Sequence, residues 1–89
     1  MKILYQGTIE QKKKVRSQKV KRIIVEVDGI PFDGDETSQG RMTRAVLVLD
    51  PLEATLWMCA DNVPRVVTRE QFRQALRLAG EAQTQVWFL

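Results

Sequence analysis

The stretch that decides the fold is residues 23–36, IIVEVDGIPFDGDE. Its first five residues are mostly β-branched and predict a strand. Asp28-Gly29 then favours a two-residue hairpin, because both central positions of a type I′ turn need a positive φ. Residues 30–32 form the return strand. Pro31 has no amide hydrogen to donate, so we expect that strand at a sheet edge.

A helix follows this hairpin. Asp35 or Thr37 is the predicted N-cap, and Glu36 suits the positive end of the helix dipole. Four apolar residues at helical spacing predict a core-facing side: Met42, Ala45, Val46 and Leu49. Asp50-Pro51 ends the helix, since the residue before a proline is disfavoured in the α region.

A second hairpin is predicted from a strand at residues 55–60, a turn at Asp61-Asn62 and a return strand at 65–67. Side chains of the first strand alternate between two faces, Trp57 with Cys59 and Leu56 with Met58. Because each face is apolar, we expect this strand to be central in the sheet or covered. Cys59 is interpreted as structural, since no histidine is available to activate it.

The last element is a helix that Thr68 and Gln71 open with a capping-box pattern. Its apolar face carries five residues: Phe72, Ala75, Leu76, Ala79 and Ala82. Near the N-terminus, residues 9–21 lack Pro and Gly and permit a mostly solvated helix. The predicted fold class is α+β, a small single domain with two β-hairpins in an antiparallel sheet and helices packed on one face.

Charge is unevenly distributed along the chain, which has 89 residues, 14 Lys and Arg, 11 Asp and Glu, and a net charge of +3. Residues 12–22 contain seven bases and no acid, so the rest of the chain carries seven bases against 11 acids, or −4. The basic segment consists of Lys12, Lys13, Lys14, Arg16, Lys19, Lys21 and Arg22.

Composition excludes several classes of protein. With no histidine, Ser-His-Asp and Cys-His catalysis and histidine-ligated zinc are excluded, and a single cysteine excludes a disulfide framework. No apolar run is long enough to cross a membrane, and the N-terminus lacks the pattern of a signal peptide. We therefore expect a protein that is not an enzyme, binds no cofactor or metal and lies in a reducing compartment.

The basic segment has two interpretations. Seven Lys and Arg could neutralise several phosphates and bind nucleic acid in a salt-dependent way. Alternatively, the segment is a solvated helix face, or an arm that docks on the acidic turn (Asp33, Asp35 and Glu36) of this chain or of a neighbour. Because aromatic residues that stack on bases are absent from it, the second interpretation is favoured.

Three further groups remain ambiguous. Asp33, Asp35 and Glu36 could bind a hard cation, although helix capping explains two of them. A stripe at spacing four could join others in a second cationic patch or be a solvated helix face: Arg69, Arg73 and Arg77, with Arg41 and Arg44. The apolar ending could fold back on the sheet or meet another subunit: Trp87, Phe88 and Leu89.

Three segments together resemble a known domain. They are Phe-Asp-x-Asp-Glu-x-Ser-Gln-x-Arg at 32–41, Trp-x-x-Ala-Asp-Asn at 57–62 and Leu-Arg-Leu-Ala-Gly-Glu-Ala-Gln-Thr at 76–84. In this order they resemble a domain of unknown function carried by tailed phages and prophages, found in proteins encoded among tail and tail-fibre genes. That family has no assigned catalytic residues to transfer.

The resemblance implies a phage or prophage accessory protein that acts by protein–protein contact in tail or tail-fibre assembly or structure. Its partner would be another phage protein or a host protein, in the bacterial host cytoplasm or in the virion. We expect a basic arm at residues 1–22 and the compact phage-type domain at 23–89. The candidate partner-binding residues are the seven bases of the arm with Trp87, Phe88 and Leu89. A homo-oligomer through the C-terminus or the edge strand is also expected, and nucleic-acid binding is the alternative.

Overall fold

The computed structural model of the protein describes residues 9–88. Three helices and four strands follow one another in the order α1 (Ile9–Lys21), β1 (Ile24–Val27), β2 (Ile30–Asp33), α2 (Glu36–Val48), β3 (Ala54–Met58), β4 (Pro64–Thr68) and α3 (Arg69–Trp87). The fold is α+β with two antiparallel hairpins, as predicted.

The two hairpins form separate two-stranded sheets, β1–β2 and β3–β4, instead of the single sheet expected. The Ala60 amide donates to the Pro31 carbonyl across 3.0 Å and connects the two sheets. Pro31 has no amide hydrogen with which to return a bond, so a ladder cannot continue from this contact. The same property that predicted an edge strand therefore also keeps the sheets apart.

The first hairpin closes as its sequence predicts. Asp28 has φ of 52° and Gly29 of 76°, the positive values that a type I′ turn requires. The register pairs Val27 with Ile30 and Val25 with Phe32. This register directs Val27 and Phe32 into the core, where each is buried.

Helix capping sets where α2 and α3 begin. Of the two N-cap candidates for α2 the structure selects Asp35, whose carboxylate accepts the Ser38 amide across 3.4 Å. At α3, Thr68 Oγ1 accepts the Gln71 amide and Gln71 Oε1 accepts the Thr68 amide, so the predicted capping box is present. The helix then continues without a break to Trp87.

The core lies between α3 and the hairpins. Phe72 stands at its centre, edge-to-face with Phe32 at 6.2 Å between ring centroids and with Trp57 at 4.7 Å. Met42 of α2 and Val67 of β4 complete this cluster and are fully buried. Pairs of this geometry contribute about 0.5–1.5 kcal/mol beyond the apolar area they bury.

A smaller cluster attaches α1 to the rest of the protein. Val20 and Ile23 pack with Ala79 of α3, and Val25, Ala82 and Val86 lie against them. Val20 is on the last turn of α1, so the helix is held near its C-terminal end.

One prediction about β3 is wrong. Its two faces are apolar, and we expected the strand to be central or covered. Trp57 does face the core, but Leu56 and Met58 are 68% and 59% exposed among the described residues. The reason is that the hairpin has two strands and a single face on the core, and no second layer within residues 9–88 covers the other face.

Candidate functional site

The basic segment lies mainly on α1 and is largely solvated. Lys13, Lys14, Lys19, Lys21 and Arg22 are exposed, and Lys12 and Arg16 are half-buried. Within the described residues two ion pairs form, Asp61–Arg65 and Arg77–Glu81, and neither involves this segment. Its charge is therefore not neutralised by close contact with the described acids.

A groove brings the basic segment together with the C-terminal end of α3. Its first part has a volume of about 290 Å³ and is lined by Lys13, Arg16, Ser17, Val20, Glu36 and Trp87. The sequence proposed the basic segment and Trp87 as separate candidate sites. In the structure Lys13 and Arg16 of that segment line the same groove as Trp87. The sequence does not predict Val20 and Ser17 as site residues, and it predicts Glu36 only as a helix-capping or cation-binding residue.

The groove continues toward the first turn of α2. This second part, of about 240 Å³, is lined by Ser17, Val20, Lys21, Asp35, Glu36 and Thr37. We call the two parts together the α1 groove. One wall is basic and comes from α1, and the opposite wall is acidic and comes from the acidic turn. The acidic turn, which the sequence proposed as one docking place for the arm, lines the same groove as α1. No ion pair joins the two in the part of the chain described, and docking of the arm stays a prediction.

A chain of side-chain amides holds the acidic wall in place. Gln83 of α3 donates Nε2 to Glu36 Oε1 across 2.8 Å. Gln39 donates its Nε2 to Gln83 Oε1 and to the Gly34 carbonyl, each across 2.8 Å. These bonds connect the start of α2 with α3, so the acidic wall is fixed relative to α3.

Within the acidic cluster, Asp35 serves as the N-cap of α2. Hydrogen bonding from Ser38 lowers the pKa of Asp35 below the usual 3.8 and keeps its carboxylate charged at the α2 N-terminus. Residues 9–88 contain no group of three or more His, Cys, Asp or Glu side chains placed to share a metal ion. The capping interpretation of Asp35 is thus supported by its contacts.

The C-terminal apolar residues do not cover a sheet. Trp87 is 54% exposed on the wall of the α1 groove, and Phe88 is 84% exposed. Leu89 lies outside the described residues. For Trp87 and Phe88, folding back on the sheet is therefore excluded in the single chain.

The outer face of the second hairpin is a separate apolar surface. Leu56 lies opposite Val66 in the register, and Met58 lies opposite Pro64. With Ala54 opposite Thr68 at the far end, all six outward residues are uncharged, and we call them the hairpin face. The sequence pattern places Leu56 and Met58 on one face of β3 and predicts that this face is buried, whereas the structure exposes it.

The arginines proposed as a second cationic patch have different roles. Arg69 donates Nε to the Val46 carbonyl across 3.0 Å, and Arg77 pairs with Glu81 across 3.2 Å. Arg41 and Arg44 line a shallow groove between α2 and β3, and none of the α3 stripe lines it. Arg73 and Arg77 are exposed, as the solvated-face interpretation expects, whereas Arg69 is half-buried and bonded to α2.

Cys59 is 2% exposed, at the end of β3. Its Sγ lies 3.8 Å from the Trp57 carbonyl. The structural interpretation fits this burial, since a thiol that solvent cannot reach is a poor nucleophile.

Comparison with protein families identifies the domain. The model of a domain of unknown function (DUF4376) matches residues 9–88. The chain belongs to the DUF4376 family. The match to this DUF4376 domain begins at the first residue of α1, and the proposed boundary at residue 22 stays a prediction. Neither a curated protein nor a solved structure matches the chain. No helix between residues 9 and 88 combines the length and apolarity needed to span a membrane.

Proposed function

We propose that this DUF4376 domain is a non-enzymatic phage or prophage accessory protein that acts by protein–protein contact in tail or tail-fibre assembly or structure. It would work in the cytoplasm of the bacterial host, with incorporation in the virion as the alternative. The phage assignment rests on the resemblance of the three sequence segments. The contact mechanism rests on the hairpin face.

The hairpin face is the observation that carries this proposal. Leu56, Met58 and Val66 are each more than half exposed on one side of a two-stranded sheet, and no charged residue lies among them. Contiguous exposed apolar surface of this kind marks interaction sites in soluble proteins. A partner that covers it would supply a second layer over this face, which the described residues leave uncovered.

The experiment is capture of the tagged protein from prophage-induced cells. We expect a tail or tail-fibre protein to be retained by the wild type and lost from Leu56→Lys/Val66→Lys, because two ammonium groups would have to be desolvated in the interface. The matched control is Leu47→Lys/Leu52→Lys, which makes the same change at two exposed positions outside the face.

Two outcomes would contradict the proposal. Retention of the same proteins by both variants would remove the hairpin face from the mechanism. Capture of host proteins alone, lost from the face variant, would replace the tail role with modulation of a host protein.

Nucleic-acid binding is the second candidate function. Five of the seven bases of the basic segment are exposed, as a phosphate-binding surface requires. Retention on DNA or heparin should then fall steeply with salt and disappear in Lys12→Gln/Lys13→Gln/Lys14→Gln. Absence of retention at low salt would eliminate this candidate.

Self-association through the C-terminus is a further prediction. The exposed side chains of Trp87 and Phe88 would be buried in such an oligomer. Light scattering of Trp87→Ala/Phe88→Ala should then give a lower mass than the wild type at the same concentration. Equal masses above that of the monomer would leave the edge strand β2 as the route to the oligomer, and a monomeric wild type would contradict self-association by either route.

A further inference from the structure

We infer that the α1 groove binds an acidic peptide segment that carries one apolar anchor residue and belongs to another protein. This inference rests on the proposed function, because it takes the partner to be a protein. It adds a second contact surface, distinct from the hairpin face, and specifies the chemistry of what that surface recognises.

The α1 wall supplies the charge for this recognition. Lys13, Arg16 and Lys21 line the groove, and no ion pair within the described residues occupies them. Carboxylates on a bound segment would form charge-assisted hydrogen bonds with these side chains. The remaining bases of α1 would raise the rate of encounter with an acidic partner.

The groove also offers apolar surface for the anchor. Val20 is 6% exposed at its base, and the half-exposed Trp87 stands at its side. Tryptophan and arginine are the residue types most enriched where binding energy is concentrated at interfaces. Lys13 and Arg16 can additionally extend their aliphatic stems along the anchor while their charges stay in water.

The acidic wall decides between a peptide and a nucleic acid. Asp35 and Glu36 face the same space as the bases, and Gln83 holds Glu36 there. A phosphate backbone carries charge at every nucleotide and would be repelled by that wall. A peptide can place its carboxylates toward α1 and its uncharged backbone toward the acids, so the mixed walls favour a peptide.

Peptide binding to the full-length protein tests this inference directly. The probe is a fluorescein-labelled peptide with four glutamates around one leucine, followed by anisotropy. Two control peptides replace either the glutamates by glutamine or the leucine by glycine. We expect each control peptide to bind at least fivefold more weakly, because one lacks the charge and the other lacks the anchor.

Matched protein variants locate the site. Lys13→Glu/Arg16→Glu reverses two charges in the groove, and Lys14→Glu/Lys19→Glu reverses two exposed charges of α1 outside it. We expect at least a tenfold loss of affinity for the groove variant and less than threefold for the control.

Two alanine variants at aromatic residues test the groove without changing its charge. Trp87→Ala should weaken binding at least fivefold. Phe88→Ala, at an exposed neighbouring position that does not line the groove, should leave binding within twofold. Circular dichroism of all four variants distinguishes lost contacts from lost folding, and loss of binding counts only in folded variants.

Three results would overturn the inference. Equal losses in the two charge-reversal variants would show non-specific attraction. A single-stranded oligonucleotide that displaces the peptide more effectively than the unlabelled peptide itself would make nucleic acid the occupant. Self-association that disappears only in the groove variant, without binding of the added peptide, would make a second copy the occupant.

This inference and the proposed function can fail separately. The Leu56→Lys/Val66→Lys variant should bind the acidic peptide with wild-type affinity. Peptide binding without capture of any tail protein would contradict only the tail assignment. Capture that depends on the hairpin face, without peptide binding, would contradict only the role of the α1 groove.

Discussion

Gly34 is the position where one residue determines how closely three parts of the chain approach. A Cβ there would lie 2.5 Å from Ile23 Cγ2 and 3.2 Å from Ala79 Cβ. The Gly34 amide also donates to the Ile23 carbonyl across 2.8 Å. Because residue 34 has no side chain, the end of β2, the α1–β1 connection and α3 can pack closely against one another.

Gly34→Ala should lower the free energy of unfolding by about 1–3 kcal/mol, because the added methyl overpacks this contact. In a domain of this size, each kcal/mol of lost stability lowers Tm by about 4–8 °C. The matched control is Gly40→Ala in α2, where a Cβ meets nothing within 4 Å. Higher helix propensity should stabilise that variant by up to about 1 kcal/mol. Thermal unfolding measures both changes, and equal Tm shifts would contradict the packing role of Gly34.

Asp35 makes a pH-dependent contribution to stability. Its pKa in the folded protein is lowered by hydrogen bonding from Ser38, so its stabilising effect is complete above the usual value of 3.8 and is lost as the pH falls through the lower folded pKa. Asp35→Ala should cost about 1 kcal/mol near pH 6. The difference in the free energy of unfolding between Asp35→Ala and the wild type should be smaller at pH 2.5. Urea unfolding at the two pH values measures it, and a constant difference would mean that the charge of Asp35 contributes nothing.

At the scale of single elements, local sequence signals succeeded where hydrogen-bond partners are close in the chain. The type I′ turn and the α3 capping box are formed by residues no more than three positions apart. The start of α2 was ambiguous because Asp35 and Thr37 are equally good N-caps in isolation. In the structure Asp35 is the N-cap and α2 begins at Glu36. Glu36 and Gln39, in the first turn, hydrogen-bond to Gln83 of α3, which is a tertiary contact that the local sequence does not reveal.

Thr68→Ala tests the α3 cap. Loss of the hydroxyl that accepts the Gln71 amide should cost about 1 kcal/mol. Thr43→Ala is the matched control, because the Thr43 hydroxyl donates within α2 to the Gln39 carbonyl and caps no end. That variant should unfold at the wild-type temperature or slightly above it. A Thr68 variant as stable as the Thr43 variant would show that the box adds nothing to α3.

At the scale of the whole molecule, two apolar clusters have different roles. The larger cluster around Phe72 joins both hairpins to α2 and α3. The smaller cluster of Val20, Ile23 and Ala79 attaches α1. The molecule measures 53 × 23 × 18 Å, so it is elongated. The position of α1, and with it the α1 groove, therefore depends on a few buried side chains.

Val20→Ala should release α1 while leaving the main core intact. Removing two buried methyl groups costs about 2 kcal/mol, at about 0.8 kcal/mol each plus the cavity left behind. Hydrogen exchange should then accelerate at the amides of α1 and remain slow around Phe72. Val48→Ala makes the same chemical change at an exposed position. It should alter hydrogen exchange neither in α1 nor around Phe72. Uniform acceleration in Val20→Ala would show that the protein unfolds as one unit.

The α+β class, the hairpin turns, the α3 cap and the uneven charge could be predicted from the sequence alone, because each depends on residues close together in the chain. Burial of β3 could not. Trp57 with Cys59 and Leu56 with Met58 show that both faces are apolar, but only the tertiary structure shows that no layer within residues 9–88 covers the second face. The α1 groove also required tertiary structure, since Lys13 and Trp87 are 74 positions apart and meet because Val20 packs on Ala79.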